Sequence, residues 1–183
     1  NYTSGAPFAV VSDAMPAGHV PLPAVPSSLW TAQKEEGRKL LKKKRWLPHA
    51  AMTQPFAHWQ AAACGDAEVA AQKERAQPHN TINRQTGTTG DGQFAPYAQT
   101  QIWFKAETRF DVHVVLDEAR LSLADLTAAL DAMGTTGFGR DASIGLGKFK
   151  RIGDADTTTW PVAIDTNSYL TLGPCAPQGQ GFC

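Results

Sequence analysis

The sequence is short of the features that mark several large protein classes. It has three cysteines in 183 residues, Cys64, Cys175 and Cys183, an odd number with no metal-ligand spacing. Neither a disulfide framework nor a cysteine-held metal is expected, and a reducing compartment fits better. There is no surplus of charge, since 17 basic residues balance 17 acidic ones. A protein that holds bare nucleic acid by global charge needs an excess of Lys and Arg to displace counterions. No apolar run approaches the roughly 20 residues of a membrane span. No basic segment leads into a long apolar stretch at the start, so no signal peptide is expected and the expected compartment is cytoplasmic. The five histidines, His19, His49, His58, His79 and His113, form no His-Glu-x-x-His pattern and have no close Cys partner.

What is present is enough for a core: 42% hydrophobic and 19% charged residues. The length suits one domain, or one domain and part of a second. The neutral total also hides local basic patches. Between positions 33 and 46, Lys34, Arg38, Lys39, Lys42, Lys43, Lys44 and Arg45 outweigh Glu35 and Glu36; later, Arg140, Lys148, Lys150 and Arg151 stand against Asp141.

Prolines crowd the first thirty residues. Residues 8–12 read as a short buried strand, and 16–26 as an extended surface path. The charged stretch 31–44, with Leu40 and Leu41, reads as a solvated helix ending before Pro48, with Trp46 and Leu47 opening a short strand. Residues 55–71 are alanine-rich and read as helical, interrupted at Gly65. Residues 79–92 are rich in Asn, Thr and Gly and read as an exposed hairpin arm, followed by an aromatic strand over 94–104.

The clearest unit begins at Arg109. Phe110, Val112, Val114 and Leu116 alternate with Asp111, His113 and Val115, the period of a half-buried strand that turns His113 outward. Ser122 with Asp125 is a capping signature. Leu123, Leu126, Leu130 and Met133 then repeat at helical spacing up to Gly134, a glycine placed to end the helix. After a glycine-rich loop, 148–152 resumes as a strand, giving a βαβ-type unit. A last strand candidate covers 167–172.

Four glycines occur in eleven residues: Gly137, Gly139, Gly145 and Gly147. Glycine lets the backbone take positive φ and lets another molecule approach its amides. Such amides can cradle phosphate oxygens, with Arg140, Ser143 and Lys148 at hand. The alternative is a connector packed against its own sheet. Nucleotide loops fit poorly. A Walker loop needs Gly at Ala142 and Ser or Thr at Phe149, and a dinucleotide fingerprint also fails at Ala142. Asp13 reads as a turn or cap residue. His79 reads as a general base or an RNA contact beside Asn80 and Arg84. Lys43 and Arg45 read as a solvated helix end or, beside Trp46, as a stacking site.

Three blocks carry a family resemblance: Ser12-Asp13-Ala14-Met15-Pro16-Ala17-Gly18 with Pro21 and Pro23; His79-Asn80-Thr81-Ile82-Asn83-Arg84 with Thr86-Gly87-Thr88; and the glycine loop 136–147. In this order they resemble the fourth Csm subunit of type III-A CRISPR complexes, within the RAMP superfamily. Tyr169-Leu170-Thr171-Leu172 resembles the opening strand of that family's second half.

The resemblance implies an α+β, ferredoxin-like (RRM-like) fold. Residues 1–160 would form a RAMP domain lacking its first strand and helix, with an arm near 79–93 and the glycine-rich loop at 134–147. Residues 161–183 would begin an incomplete second domain. It implies a noncatalytic subunit, without a cofactor or metal, that holds the crRNA 5′ handle and bridges the large polymerase-cyclase subunit to the backbone filament subunit, away from any membrane. The arm would be that family's thumb-like hairpin. Two other functions stay open: a metal-independent endoribonuclease using His79, and a scaffold that touches only protein.

Overall fold

Val20 and Leu47 face each other across two short antiparallel strands, and both are fully buried. They centre the core seen in a computed structural model, which describes residues 7–31, 37–157 and 170–173. In chain order the strands are β1 (Ala9–Val11), β2 (Met15–Pro16), β3 (His19–Pro21), β4 (Lys44–Pro48), β5 (Cys64–Gly65), β6 (Gln72–His79), β7 (Tyr97–Phe104), β8 (Phe110–Asp111) and β9 (Val114–Leu116). The α-helices are α1 (Arg38–Leu41), α2 (Trp59–Ala62), α3 (Asp66–Val69) and α4 (Leu123–Thr136). The architecture is mixed α and β, compatible with the α+β expectation. Among the described residues it has four small antiparallel sheets and no closed barrel. No described helix is long and apolar enough to cross a membrane.

The chain divides into two units, Ala14–Val112 and the pairing of Asn1–Asp13 with His113–Cys183. The first contains every buried hydrophobic residue among those described: Met15, Val20, Trp30, Leu47, Ala51, Ala63 and Ala70. Strand β4 lies between β3 and β5, so Leu47 is enclosed, while Arg45, where the register with β5 shifts between Lys44 and Trp46, is exposed. Phe56 stacks on Trp30 with centroids 4.8 Å apart and closes one side. The proline-rich path is extended as expected, but Met15, Pro16 and Val20 belong to this core and do not lie on a surface.

The expected helix over 31–44 is only the four residues of α1, with 32–36 outside the described residues. The chain turns at 42–43, and β4 begins at Lys44 because it pairs with Gly65. The alanine-rich stretch forms α2 and α3, broken at β5 as Gly65 suggests.

In the other unit, β1 pairs with β9, Ala9 opposite Leu116. This strand is not buried: Phe8, Val10 and Val11 are about half exposed, because a ribbon of two strands covers little of either of its faces. The expected continuous strand from Phe110 to Leu116 is interrupted at Val112 and His113, and the Ser12 hydroxyl accepts the His113 amide at 2.9 Å. His113 is consequently half-buried instead of a surface histidine.

Helix α4 starts as expected, the Ser122 hydroxyl accepting the Asp125 amide at 3.1 Å. It runs past Gly134 to Thr136. Gly134 is there because the backbone of Phe149 packs against it, leaving no room for a Cβ. Residues 148–152 are not a strand: Phe149 donates its amide to Gly134, and Arg151 is drawn to Asp131 on α4, so the segment follows the helix instead of a sheet edge. Of the last strand candidate, 167–169 lie outside the described residues; 170–172 are not a strand, although the Leu172 carbonyl accepts the Asp13 amide at 3.0 Å.

Candidate nucleic-acid interface

The glycine loop leaves α4 through Gly137, at φ +101°, whose amide donates to Met133 at 2.7 Å. Two crossings then close it into a bracket: Phe138 donates to the Gly147 carbonyl at 2.9 Å, and Phe149 to the Gly134 carbonyl at 3.2 Å. Inside, Ala142 donates to Gly139, Gly145 to Ala142, and both Ile144 and Leu146 to Asp141. A Cβ at Gly137 would strike the Leu146 carbonyl, and one at Gly147 the Phe138 carbonyl. These two glycines therefore serve the loop's own close crossing, as the connector reading requires. Gly139 and Gly145 are different, with positive φ but open space around them. Among the described residues, the amides of Gly139, Ser143, Gly147 and Lys148 have no hydrogen-bond partner.

The loop's cations are unequal. The Arg140 side chain is 77% exposed and pairs with Asp141, Nε to Oδ1 at 3.2 Å. Arg151 is held by Asp131 at 3.0 Å and by the Gly153 carbonyl at 2.6 Å, and the bond to Asp131 raises its pKa further. Lys148 and Lys150 are exposed and meet no described carboxylate. What the bracket offers a polyanion is thus Arg140 and Lys148 with a few outward amides, less than a full amide nest.

The 42–45 run lines an open groove of about 780 Å³, with 61–68 on its other wall. Asp66 works against the run's charge. One oxygen accepts the Trp46 indole N–H at 2.6 Å, and the other meets Arg45 at 3.4 Å. Lys44 donates to the Ala61 carbonyl at 3.0 Å. Lys42 and Lys43 remain exposed in the turn. Cys64 lies in the same groove; burial and then the Glu68 carboxylate push its thiol pKa up.

The arm is longer than the sequence suggests. β6 and β7 pair over eight residues, from Gln72 opposite Phe104 to His79 opposite Tyr97. Side chains on paired residues share a face, and faces alternate along the strand. One face therefore carries Lys73, Arg75, Gln77, His79, Tyr97, Gln99, Gln101 and Trp103, without a carboxylate. The other carries Gln72 and Glu74 with Ile102, Phe104 and smaller residues, and Phe104 meets Phe110 edge-on at 4.9 Å. On the first face Arg75 lies 5.4 Å from the Trp103 ring centroid, and His79 stacks on Tyr97 at 5.3 Å and 15°. His79 Nε2 is sealed from solvent without a hydrogen-bond partner. Beyond it Asn80 and Arg84 are exposed, and an Asn83–Thr88 bridge tightens the tip.

The expected residues thus fall into three separate places: the bracket (Gly137, Gly139, Arg140, Ser143, Gly145, Gly147, Lys148), the arm (His79, Asn80, Arg84) and the groove rim (Lys43, Arg45). Sequence reading overlooks Lys73, Arg75, Tyr97 and Trp103. The signal that could have found them is the sorting of charge by odd and even positions over 72–79. Among the described residues no group of three or more His, Cys, Asp or Glu is placed to hold a metal. No protein-family model matches this chain, and no curated protein matches it.

Proposed function

We propose that this chain is a noncatalytic RNA-binding subunit of a type III-A CRISPR complex, a ferredoxin-like RAMP module. It holds the crRNA 5′ handle and touches the large polymerase-cyclase subunit and the backbone filament subunit. The observation that carries the reading is the bracket after α4. It is braced by its own crossings, and it presents Arg140, Lys148 and the open edges at Gly139 and Gly145 to solvent. A braced loop loses little conformational entropy when a phosphate docks, which suits a positioning contact. The order of the three sequence blocks supports the same family. No residue is assigned to catalysis.

Titrating repeat-derived single-stranded RNA onto the protein over a range of salt tests this reading. The Arg140→Ala/Lys148→Ala variant is expected to bind more weakly, and its salt slope to drop by roughly 0.7 for each phosphate that the protein no longer neutralises. Wild-type affinity and slope in that variant would overturn the assignment of the loop.

A further inference from the structure

The four cations of the 42–45 run and two carboxylates, Asp66 and Glu68, line the open groove of about 780 Å³. Both carboxylates are engaged from within the chain. Asp66 takes Trp46 and Arg45, and one Glu68 oxygen accepts the Gly65 amide at 2.8 Å. Lys42 and Lys43 are exposed and meet no carboxylate among the described residues. The rest of the lining is mostly small and apolar: Ala61, Ala62, Ala63 and Ala67, with Leu40, which is 56% exposed. Open lysines beside an apolar floor are complementary to a chain that alternates acidic and aliphatic side chains, since an extended strand sends neighbours to opposite sides. A nucleic acid fits less well. Among the described lining residues none is aromatic, so bases have nothing to stack on. The Glu68 carboxylate on the facing wall repels phosphate, whereas a peptide backbone brings amides that its second oxygen can accept. We infer that this groove binds an extended acidic segment of a partner protein, its carboxylates on Lys42 and Lys43 and its aliphatic side chains on Leu40 and the alanines. The glycine bracket contributes no residue to the groove, so peptide binding here is independent of RNA binding there.

The experiment follows fluorescence anisotropy of a short labelled peptide of alternating Glu and Leu with the full chain. Cys64 lines the groove and reports its occupancy: bound peptide is expected to slow its alkylation by iodoacetamide relative to Cys175 and Cys183. Lys42→Gln/Lys43→Gln is expected to weaken binding about tenfold for the two exposed pairs together. Lys42→Arg/Lys43→Arg is expected to restore most of it, and both positions are exposed, so neither change threatens the fold. Leu40→Ser is expected to weaken binding about fivefold through the apolar contact it removes. A peptide of alternating Lys and Leu is expected not to bind. Arg140→Ala/Lys148→Ala is expected to bind the acidic peptide as the wild type does, which separates failure of the bracket from failure of the groove. Wild-type affinity in Lys42→Gln/Lys43→Gln would overturn the inference, as would unslowed alkylation of Cys64 at saturating peptide. Displacement of the peptide by oligouridine as readily as by unlabelled peptide would overturn it too, since that marks a general polyanion site.

Discussion

Asp66 shows how one carboxylate can redistribute a basic run. The sequence offers Lys42 to Arg45 as four consecutive cations, but Asp66 takes the Trp46 indole N–H and meets Arg45, and Lys44 is tied to a carbonyl. Arg45 stays exposed but is paired with Asp66, which leaves Lys42 and Lys43 as the exposed cations of the run with no described carboxylate beside them. Asp131 does the same to Arg151 beside the glycine bracket. Cys64 carries a testable consequence of the same groove. Its thiol pKa is raised by burial first and by Glu68 second, so the reactive thiolate forms only at higher pH than in a free cysteine. Alkylation of the Cys64 peptide by iodoacetamide, followed by mass spectrometry, is expected to reach its half-maximal rate above the usual pH of about 8.5. Glu68→Gln is expected to shift that midpoint part of the way down, since burial stays. A wild-type midpoint at or below that of a model thiol would contradict this environment.

At the scale of elements, α4 and its exit are largely legible in the sequence. Ser122 and Asp125 mark the start because the hydroxyl satisfies an amide the helix leaves unpaired. The apolar spacing marks the face, along which Leu123, Leu126 and Leu130 are half-buried. The end lies beyond the glycine expected to mark it: Gly134 is small to let Phe149 approach, and Gly137 supplies the positive φ that ends the helix. The four loop glycines look alike in sequence and are not. Gly145→Ala meets open space and is expected to cost about 1 kcal/mol, from the left-handed backbone alone. Gly147→Ala also drives a methyl group into the Phe138 carbonyl and is expected to cost clearly more, read as the difference in urea midpoints. Equal destabilisation at the two positions would mean the bracket does not close as described. Strand β6 escapes sequence reading for the opposite reason: apart from Ala76 and Pro78 it is polar, and the usual strand signal is an apolar alternation.

Across the whole molecule, burial is uneven. Among the described residues the largest fully buried side chains, Leu47, Val20 and Pro16, belong to the Ala14–Val112 unit, while the ribbon within that unit has solvent on both faces. Amide hydrogen exchange is expected to be slowest at Val20 and Leu47 and far faster along β6 and β7, although both pairs of strands are hydrogen-bonded, because local opening of the ribbon exposes little new apolar surface. Ribbon amides as slow as the core in the free protein would rule out this distribution of stability.

The sequence by itself determined the punctuation of this protein: where helix α4 begins, where the glycine bracket sits, and that an exposed polar arm lies between two stretches of chain. Those features depend on neighbours a few residues away, through capping, period and backbone freedom. Only the tertiary structure decided which cations keep their charge outward, which glycines are consumed by close crossings, and that one ribbon face gathers the aromatic and basic side chains. Each depends on a partner distant in the chain: Asp66 lies 21 residues from Arg45, Asp131 lies 20 from Arg151, and Lys73 comes level with Trp103 only through the register of the ribbon. Ion pairs, steric room and strand register are pairwise properties of folded neighbours, and local residue patterns do not encode them.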